Sequence, residues 1–564
     1  MTILLAVCCY RSSQPPYATF LHKQIPTFQS ILKRFRMELG YLFLRFLVTC
    51  FKWTTFPFRK IYFGIFNTRV PIPAAEDPLL FYSATKLAKL IREKQIKSEI
   101  VIKTYIGRIK SVNKFLNAVV EDRYLEAIEE AKQVDILLNQ PNTNIEKIAI
   151  EKPLLGVPVT IKESCAVKDL SLSVGSTFMK GTKAREDGAA VSKLRSAGAI
   201  PLLVSTTSEL CLSVCCNTLV NGTTRNPYNT NRTSGGSSGG EGALIGSGSS
   251  LIGIGSDLGG SVRIPAMFNC IFGHKPTARL VSCDGHWPTC PDPKFENYIT
   301  IGPLARYAED LKLMMKVLSV SNKVNFDAEV NLKNVNIFFT EDIGFYLGSN
   351  SVQSEIKEAV RKVVNYLHET HEMRISNKRI DKFDTVGDSV ISQLLAVDDI
   401  IRPLQDPNNP DVKYTMIGQL IKSVFSKPDI TPTNVFADVF IIRGNGLIPK
   451  SHTVKHHSKM EQLRNKMINC LQDNGILIMP TFPTSAFHSI EIGWHMLNAS
   501  VFTGTFNVLG FPSTQVPMGF DKKGMPIGVQ IISAPYQDNL CLVVAEILEK
   551  RFKGWQPPFE RTNK

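Results

Sequence analysis

A glycine- and serine-rich run between residues 234 and 263, enclosed by apolar segments, constrains this chain more than any other feature. It reads Ser-Gly-Gly-Ser-Ser-Gly-Gly-Glu-Gly-Ala from Ser234 to Ala243, then Gly255-Ser256-Asp257-Leu258-Gly259-Gly260-Ser261-Val262-Arg263. Most runs of this composition are flexible linkers. This one contains Ala243-Leu244-Ile245 and lies between Ile200–Val204 and Leu251–Ile254, so it belongs inside a core. A phosphate-cradling loop does not fit, because G-x-x-x-x-G-K-[S/T] is absent and no G-x-G-x-x-G follows a strand here. Glycines suit instead a place where backbone amides must approach an anion closely. Leu258, Gly259, Gly260 and Ser261 offer four successive N–H groups, as an oxyanion hole for a tetrahedral intermediate requires. A serine that closes such a turn is placed to attack the carbon whose oxygen the hole receives.

A nucleophilic serine needs a base, and these motifs contain no histidine. His274 is the nearest in sequence, and a structural role is expected for it. A buried lysine can replace histidine in the triad logic. Lys162 ends the β-rich run Leu154-Leu155-Gly156-Val157-Pro158-Val159-Thr160-Ile161, where desolvation disfavours the charged amine.

Around these motifs the pattern alternates. Ser83 is expected to cap a helix with Leu87, Leu90 and Ile91 on its apolar face. Ser98 starts a second, with Val101, Ile102, Tyr105, Ile106, Ile109 and Val112 at helical spacing. A third runs from about Arg123 to Leu138 and a fourth from Ala189 to Ala197, just before the apolar strand Ile200–Val204. Further on, Val335–Thr340, Ile476–Met479 and Gly528–Ile532 read as strands. Charged helices are expected near 351–369 and 455–472, and an amphipathic one over Tyr536–Phe552. Alternating helix and strand predicts an α/β fold, a sheet core covered by helices on both faces. No repeat or linker divides residues 75–564, which read as one catalytic domain.

The N-terminus is different in kind. Residues 1–70 hold ten Lys and Arg against one acid, Glu38, a large part of the net charge of +15. The body is therefore not a basic nucleic-acid-binding surface, and no nucleic-acid partner is expected. From Leu39 to Phe51 only Arg45 is charged, but thirteen residues fall short of the ~20 that a spanning helix needs. Trp53, Phe56, Phe58, Tyr62, Phe63 and Phe66 continue the aromatic character through Lys52, Arg59 and Lys60. Residues 37–70 are thus expected to be a hydrophobic, basic membrane-attachment helix, either a single short span or a monotopic one in the interface. Residues 1–36, with Pro15-Pro16 and no basic start to a signal peptide, read as a disordered extension, with Met37 an alternative start. The 12 cysteines form no metal framework, so free thiols and no metal are expected.

Taken together, G-V-P-V-T-I-K-E around Lys162, G-G-S-S-G-G-E-G around Ser237 and G-S-D-L-G-G-S-V-R-I-P around Ser261 resemble the amidase-signature family. Gly273-His274-Lys275-Pro276-Thr277 resembles the segment that follows them, and the likeness extends to Pro480-Thr481 and Pro526-Ile527-Gly528-Val529-Gln530. The resemblance implies that fold, with a mixed twisted sheet, and a Lys162–Ser237–Ser261 triad without cofactor. Ser261 would be the nucleophile. Ser237, on a cis peptide, would relay the proton to and from Lys162. Leu258, Gly259, Gly260 and Ser261 would form the oxyanion hole, Ser238 would support the network, and Asp257 and Arg263 would brace the loop. Water would then release an acyl-enzyme. Glu241, Thr207-Ser208-Glu209-Leu210-Cys211 and Phe272-Gly273-His274-Lys275-Pro276 look like the branch that hydrolyses fatty-acid amides, which puts Cys211 on the acyl channel. The expected substrate is then a lipid amide met at a membrane (an endomembrane or a lipid droplet), with a homodimer left open. An amidase for small or xenobiotic amides and a catalytically inactive membrane scaffold are the competing readings.

Overall fold

The computed structural model describes residues 70–561, apart from 345–348, 378–379, 381–385, 395, 400–403, 407–408 and 438–449. The extension expected at 1–36 lies outside the described residues, as does the attachment segment expected at 37–70 except for Val70. Among the described residues, no helix is long and apolar enough to cross a membrane.

Eleven strands form one mixed sheet. In chain order they are β1 (Val119–Asp122), β2 (Pro158–Lys162), β3 (Ile200–Ser205), β4 (Ile252–Asp257), β5 (Phe272–Lys275) and β6 (Thr300–Ala305). They continue with β7 (Asn336–Phe339), β8 (Arg374–Ile375), β9 (Gly475–Pro480), β10 (Ser513–Phe520) and β11 (Pro526–Ser533). Their order across the sheet is β1-β3-β2-β4-β6-β5-β10-β11-β9-β7-β8. Strand β2 runs parallel to both β3 and β4, whereas β4, β6, β5, β10, β11 and β9 pair antiparallel in succession. Strands β2, β3, β4 and β9 are buried at every position, which explains why apolar residues are not confined to alternate positions along them.

Helices flank the sheet much as the periodicity predicts. Helix α1 (Ala84–Arg92) begins where the Ser83 hydroxyl accepts from the Lys86 amide at 3.1 Å, and buries Ala84, Leu87, Ala88 and Ile91. Helix α2 (Ser98–Leu116) buries Val101, Ile102, Tyr105, Ile106, Ile109 and Val112, the residues expected to face inward. Helices α3 (Tyr124–Asn139) and α4 (Ala189–Ser196) lie within a residue or so of their expected bounds.

Periodicity gives no hint of helix α5 (Gly239–Gly246), which sets four glycines and Glu241 beside Ala243, Leu244 and Ile245 and is buried at every residue. Glycine disfavours a helix by about 1 kcal/mol per residue relative to alanine. This helix therefore depends on how closely it can approach its neighbours. A β-carbon on Gly242 would stand 2.5 Å from Asn269 Nδ2 and 3.0 Å from Pro265 Cβ, and one on Gly246 would stand 2.7 Å from the Asn269 carbonyl. The short helix α6 (Arg263–Phe268) thus lies directly against α5, and α5 and α6 bracket strand β4 in sequence.

A Gly242→Ala substitution should force that contact apart and destabilise the protein by about 1–3 kcal/mol, as overpacking does. A urea midpoint equal to that of the parent chain would show that the two helices separate without cost.

Candidate active site

Strand β2, third from one edge of the sheet, places Lys162 in register with Ser205 of β3, while Ile161 faces Ile254 of β4. The amine is fully buried. Its Nζ donates to Ser237 Oγ at 2.6 Å and to Ser256 Oγ at 2.9 Å. Ser237 and Ser261 line one cleft, together with Ser256, Cys211 and His286. Leu210, Leu212, Leu258, Pro288, Phe295 and Ile299 supply its apolar walls. The structure thus joins Lys162 to Ser237 and places both serines of the expected triad on a common cavity.

The loop carrying Ser237 is fixed by its backbone. The Gly236–Ser237 peptide is cis. The Ser237 carbonyl accepts from the Thr207 hydroxyl at 3.0 Å and the Ser208 amide at 3.2 Å. Ser238 contributes through its amide, which donates to the Ser261 carbonyl at 3.2 Å, while its buried hydroxyl finds no hydrogen-bond partner. A β-carbon at Gly255 would meet the Ser238 hydroxyl at 2.5 Å, so glycine there gives the Ser238 side chain its room.

Asp257 and Arg263 are both fully buried and tie down the turn between them. Arg263 grips the carboxylate with two hydrogen bonds, Nε to Oδ2 and Nη2 to Oδ1, each 3.0 Å. Arg263 also reaches Asn507 Oδ1 at 2.7 Å, the Thr503 carbonyl at 3.1 Å and Gln530 Oε1 at 3.1 Å. Burial alone would raise the Asp257 carboxyl, but the guanidinium outweighs it and holds the group well below the usual carboxylate range. The same carboxylate accepts from the Gly260 amide at 2.7 Å and the Val262 amide at 3.1 Å. One of the four amides expected to face a substrate oxygen, that of Gly260, is therefore already engaged by Asp257. Gly260 has φ +118, a backbone that side-chain-bearing residues rarely adopt, and a β-carbon there would collide with Thr503 Oγ1.

Three features escape the sequence reading. Ser256 shares the Lys162 amine, and only its position in G-S-D-L-G-G-S could have marked it. His286, in an unremarkable loop, lines the cleft because that loop is drawn to the end of β2: Cys165 bridges to His286 and the Trp287 amide donates to the Ser164 carbonyl at 2.8 Å. Glu241 is fully buried beneath β2, where Oε2 accepts from Thr160 Oγ1 at 2.6 Å and Oε1 has no partner. His274 is structural in its contacts, with Nδ1 at 2.8 Å from Thr514 Oγ1 and Nε2 at 3.2 Å from Asp538 Oδ1.

The fold and this arrangement define a class, the α/β amide-cleaving serine hydrolases, and the comparisons give it a family. The Amidase family matches residues 100–542, and the chain belongs to the amidase-signature family. It is 35% identical over 502 residues to fatty-acid amide hydrolase 2-B of Danio rerio, covering 86% of this chain and 92% of that protein. It is 33% identical over 504 residues to human fatty-acid amide hydrolase 2, covering 87% and 93%. Among solved structures, a fatty acid amide hydrolase superposes with TM-score 0.67 at 21% identity, covering 84% of this chain and 86% of that one. A 6-aminohexanoate cyclic dimer hydrolase also superposes with TM-score 0.67 at 21% identity, covering 86% and 99%. The chain is accordingly an enzyme that hydrolyses amides.

Burial raises the Glu241 carboxyl to about 7, with the Thr160 hydrogen bond only partly offsetting it. The folded chain then keeps a proton that the unfolded chain, titrating near 4.5, releases. Stability should fall as pH rises from about 4.5 to 7, by roughly 3 kcal/mol from this group. Glu241→Gln should flatten that part of the pH profile of the urea midpoint between pH 5 and 8. An unchanged slope would place the titrating group elsewhere.

Proposed function

We propose that this protein is a membrane-associated hydrolase of fatty-acid amides, with Lys162, Ser237 and Ser261 as its triad. The observation that supports this reading most is the buried Lys162 Nζ hydrogen-bonded to Ser237 Oγ at 2.6 Å, on the cleft that Ser261 also lines. The Lys162 amine takes the Ser237 proton as Ser237 takes that of Ser261. The Ser261 oxygen then bonds to the amide carbon, and the carbonyl oxygen becomes an oxyanion. Amides of Leu258, Gly259 and Ser261 face that oxygen, while Gly260 shapes the turn through Asp257. The proton returns through Ser237 to the leaving nitrogen, the C–N bond breaks, and water releases the acyl group from Ser261.

The lipid substrate is inferred from two things. Relatives 33–35% identical over most of both chains are fatty-acid amide hydrolases. The cleft beside the serines is walled by Leu210, Leu212, Leu258, Pro288, Phe295 and Ile299. Burying one CH₂ is worth about 0.8 kcal/mol, so each two-carbon extension that stays inside should raise specificity roughly tenfold. Attachment through residues 37–70 would bring the enzyme to where such substrates reside.

Hydrolysis of a series of primary amides from C2 to C18 tests the reading. kcat/KM should climb with chain length, Ser261→Ala should abolish turnover of every member, and the chain should co-sediment with liposomes unless residues 37–70 are removed. A preference for C2–C4 amides would favour the small-amide reading. Undiminished turnover by Ser261→Ala would refute the triad.

A further inference from the structure

A second nucleophile stands in the same cleft. Cys211 is a free thiol that lines the cavity together with Ser237 and Ser261. It is partly exposed rather than sealed in the core, and the short helical turn Glu209–Cys211 that carries it has Leu210 and Cys211 both in left-handed backbone, at φ 54 and 60. Neither residue is a glycine, so the loop holds the thiol in a conformation that a relaxed chain would avoid. Its Sγ lies 3.5 Å from Thr207 Oγ1.

His286 lines the same cavity and is 94% buried, being only 6% exposed. Its Nδ1 lies 2.9 Å from the Pro288 carbonyl. A carbonyl can only accept, so Nδ1 carries the hydrogen and Nε2 of the neutral ring has a free lone pair. That Nε2 is buried and has no hydrogen-bond partner. A thiol that shares a cavity with an imidazole whose other nitrogen is held by an acceptor supplies the parts of a nucleophile with its base and orienting group.

Burial by itself would raise the Cys211 thiol. The His286 imidazole and the Thr207 hydroxyl oppose that effect. By contrast, burial pushes Cys165, Cys215, Cys283 and Cys541 up to about 12.

We propose that Cys211, with His286 as its proton acceptor, is a covalent modification site for apolar α,β-unsaturated carbonyl compounds, and that the adduct shuts the hydrolase. The thiol gives its proton to His286 Nε2, and the sulfur bonds to the β-carbon of the alkene. The C=C π pair moves to the α-carbon, which takes the proton from the imidazolium, leaving a saturated thioether and no change in oxidation state of any protein group. The apolar walls favour an electrophile with a hydrocarbon tail. The adduct fills the cleft that an amide substrate must enter to meet Ser261.

The test uses the full chain with two probes, N-ethylmaleimide and 1-hexadecen-3-one, and follows each cysteine by peptide mass mapping. Cys290 and Cys470 in the same chain serve as internal references. Cys211 should react at least about tenfold faster than either, because thiolate character sets the rate. Hydrolysis should fall in step with occupancy of Cys211, and the long-chain enone should outpace the maleimide at Cys211 but not at Cys290. His286→Gln should slow Cys211 by roughly tenfold or more and leave Cys290 unaffected. In Cys211→Ala, whatever hydrolysis remains should resist both probes. Equal rates at Cys211, Cys290 and Cys470, an unchanged Cys211 rate in His286→Gln, or hydrolysis that persists at full Cys211 occupancy would each overturn the proposal. Should Cys211→Ala fail to fold, mapping of the parent chain still decides. The mass readout does not depend on Ser261 being the hydrolytic nucleophile, so failure of that reading would leave the Cys211 result standing.

Discussion

The amine of Lys162, taken out of water and shared between the hydroxyls of Ser237 and Ser256, is the interaction around which the rest of the site is arranged. Placing a charged ammonium in an apolar core costs several kcal/mol, and an ionised acid close by would recover that cost by holding the proton in place. The two hydrogen-bond partners of this amine are instead hydroxyls. The nearby Glu241, raised to about 7 by burial, takes up a proton near neutrality rather than standing as a permanent counter-charge. Hydroxyl partners of this kind suit the proposed exchange of a proton between the amine and Ser237.

Backbone placement makes this possible. The parallel pairing of β2 with β4 puts the end of one strand beside Ser256 near the end of the other. Glycines then let three elements crowd the same volume: Gly255 makes space for Ser238, Gly242 and Gly246 let α5 rest on Asn269, and Gly260 turns the chain back beneath Thr503. The Asp257–Arg263 pair locks that turn from inside the core and reaches out to Thr503, Asn507 and Gln530. The C-terminal part of the chain, a helical segment at Thr503 and Asn507 and strand β11 at Gln530, thereby supports a loop contributed by the middle of the sequence.

Much of this was legible in the residues. Helix α2 follows from the spacing of Val101, Ile102, Tyr105, Ile106, Ile109 and Val112, and β2 and β3 from runs rich in apolar, β-forming residues. Three motifs in fixed order singled out Lys162, Ser237 and Ser261. What could not be read is whatever depends on contacts between distant segments. Helix α5 has neither helical periodicity nor propensity, because its stability comes from packing that glycine alone permits. Strands β5, β6 and β10 are short or interrupted by glycine and proline and gain their identity from antiparallel neighbours. His286 sits 124 positions beyond Lys162 and joins the cleft through backbone pairing of its loop with Ser164 and Cys165.

Whether Lys162 serves as the base for the paired serines is decided by the rate at which a fluorophosphonate labels Ser261 between pH 6 and 10. The parent chain should label rapidly at neutral pH. Lys162→Ala should lose that labelling near pH 7 by about two orders of magnitude or more and recover part of it towards pH 10, where hydroxide replaces the amine. A loss of equal size at every pH would mean that Lys162 only holds the structure together, and the assignment of the base would be wrong.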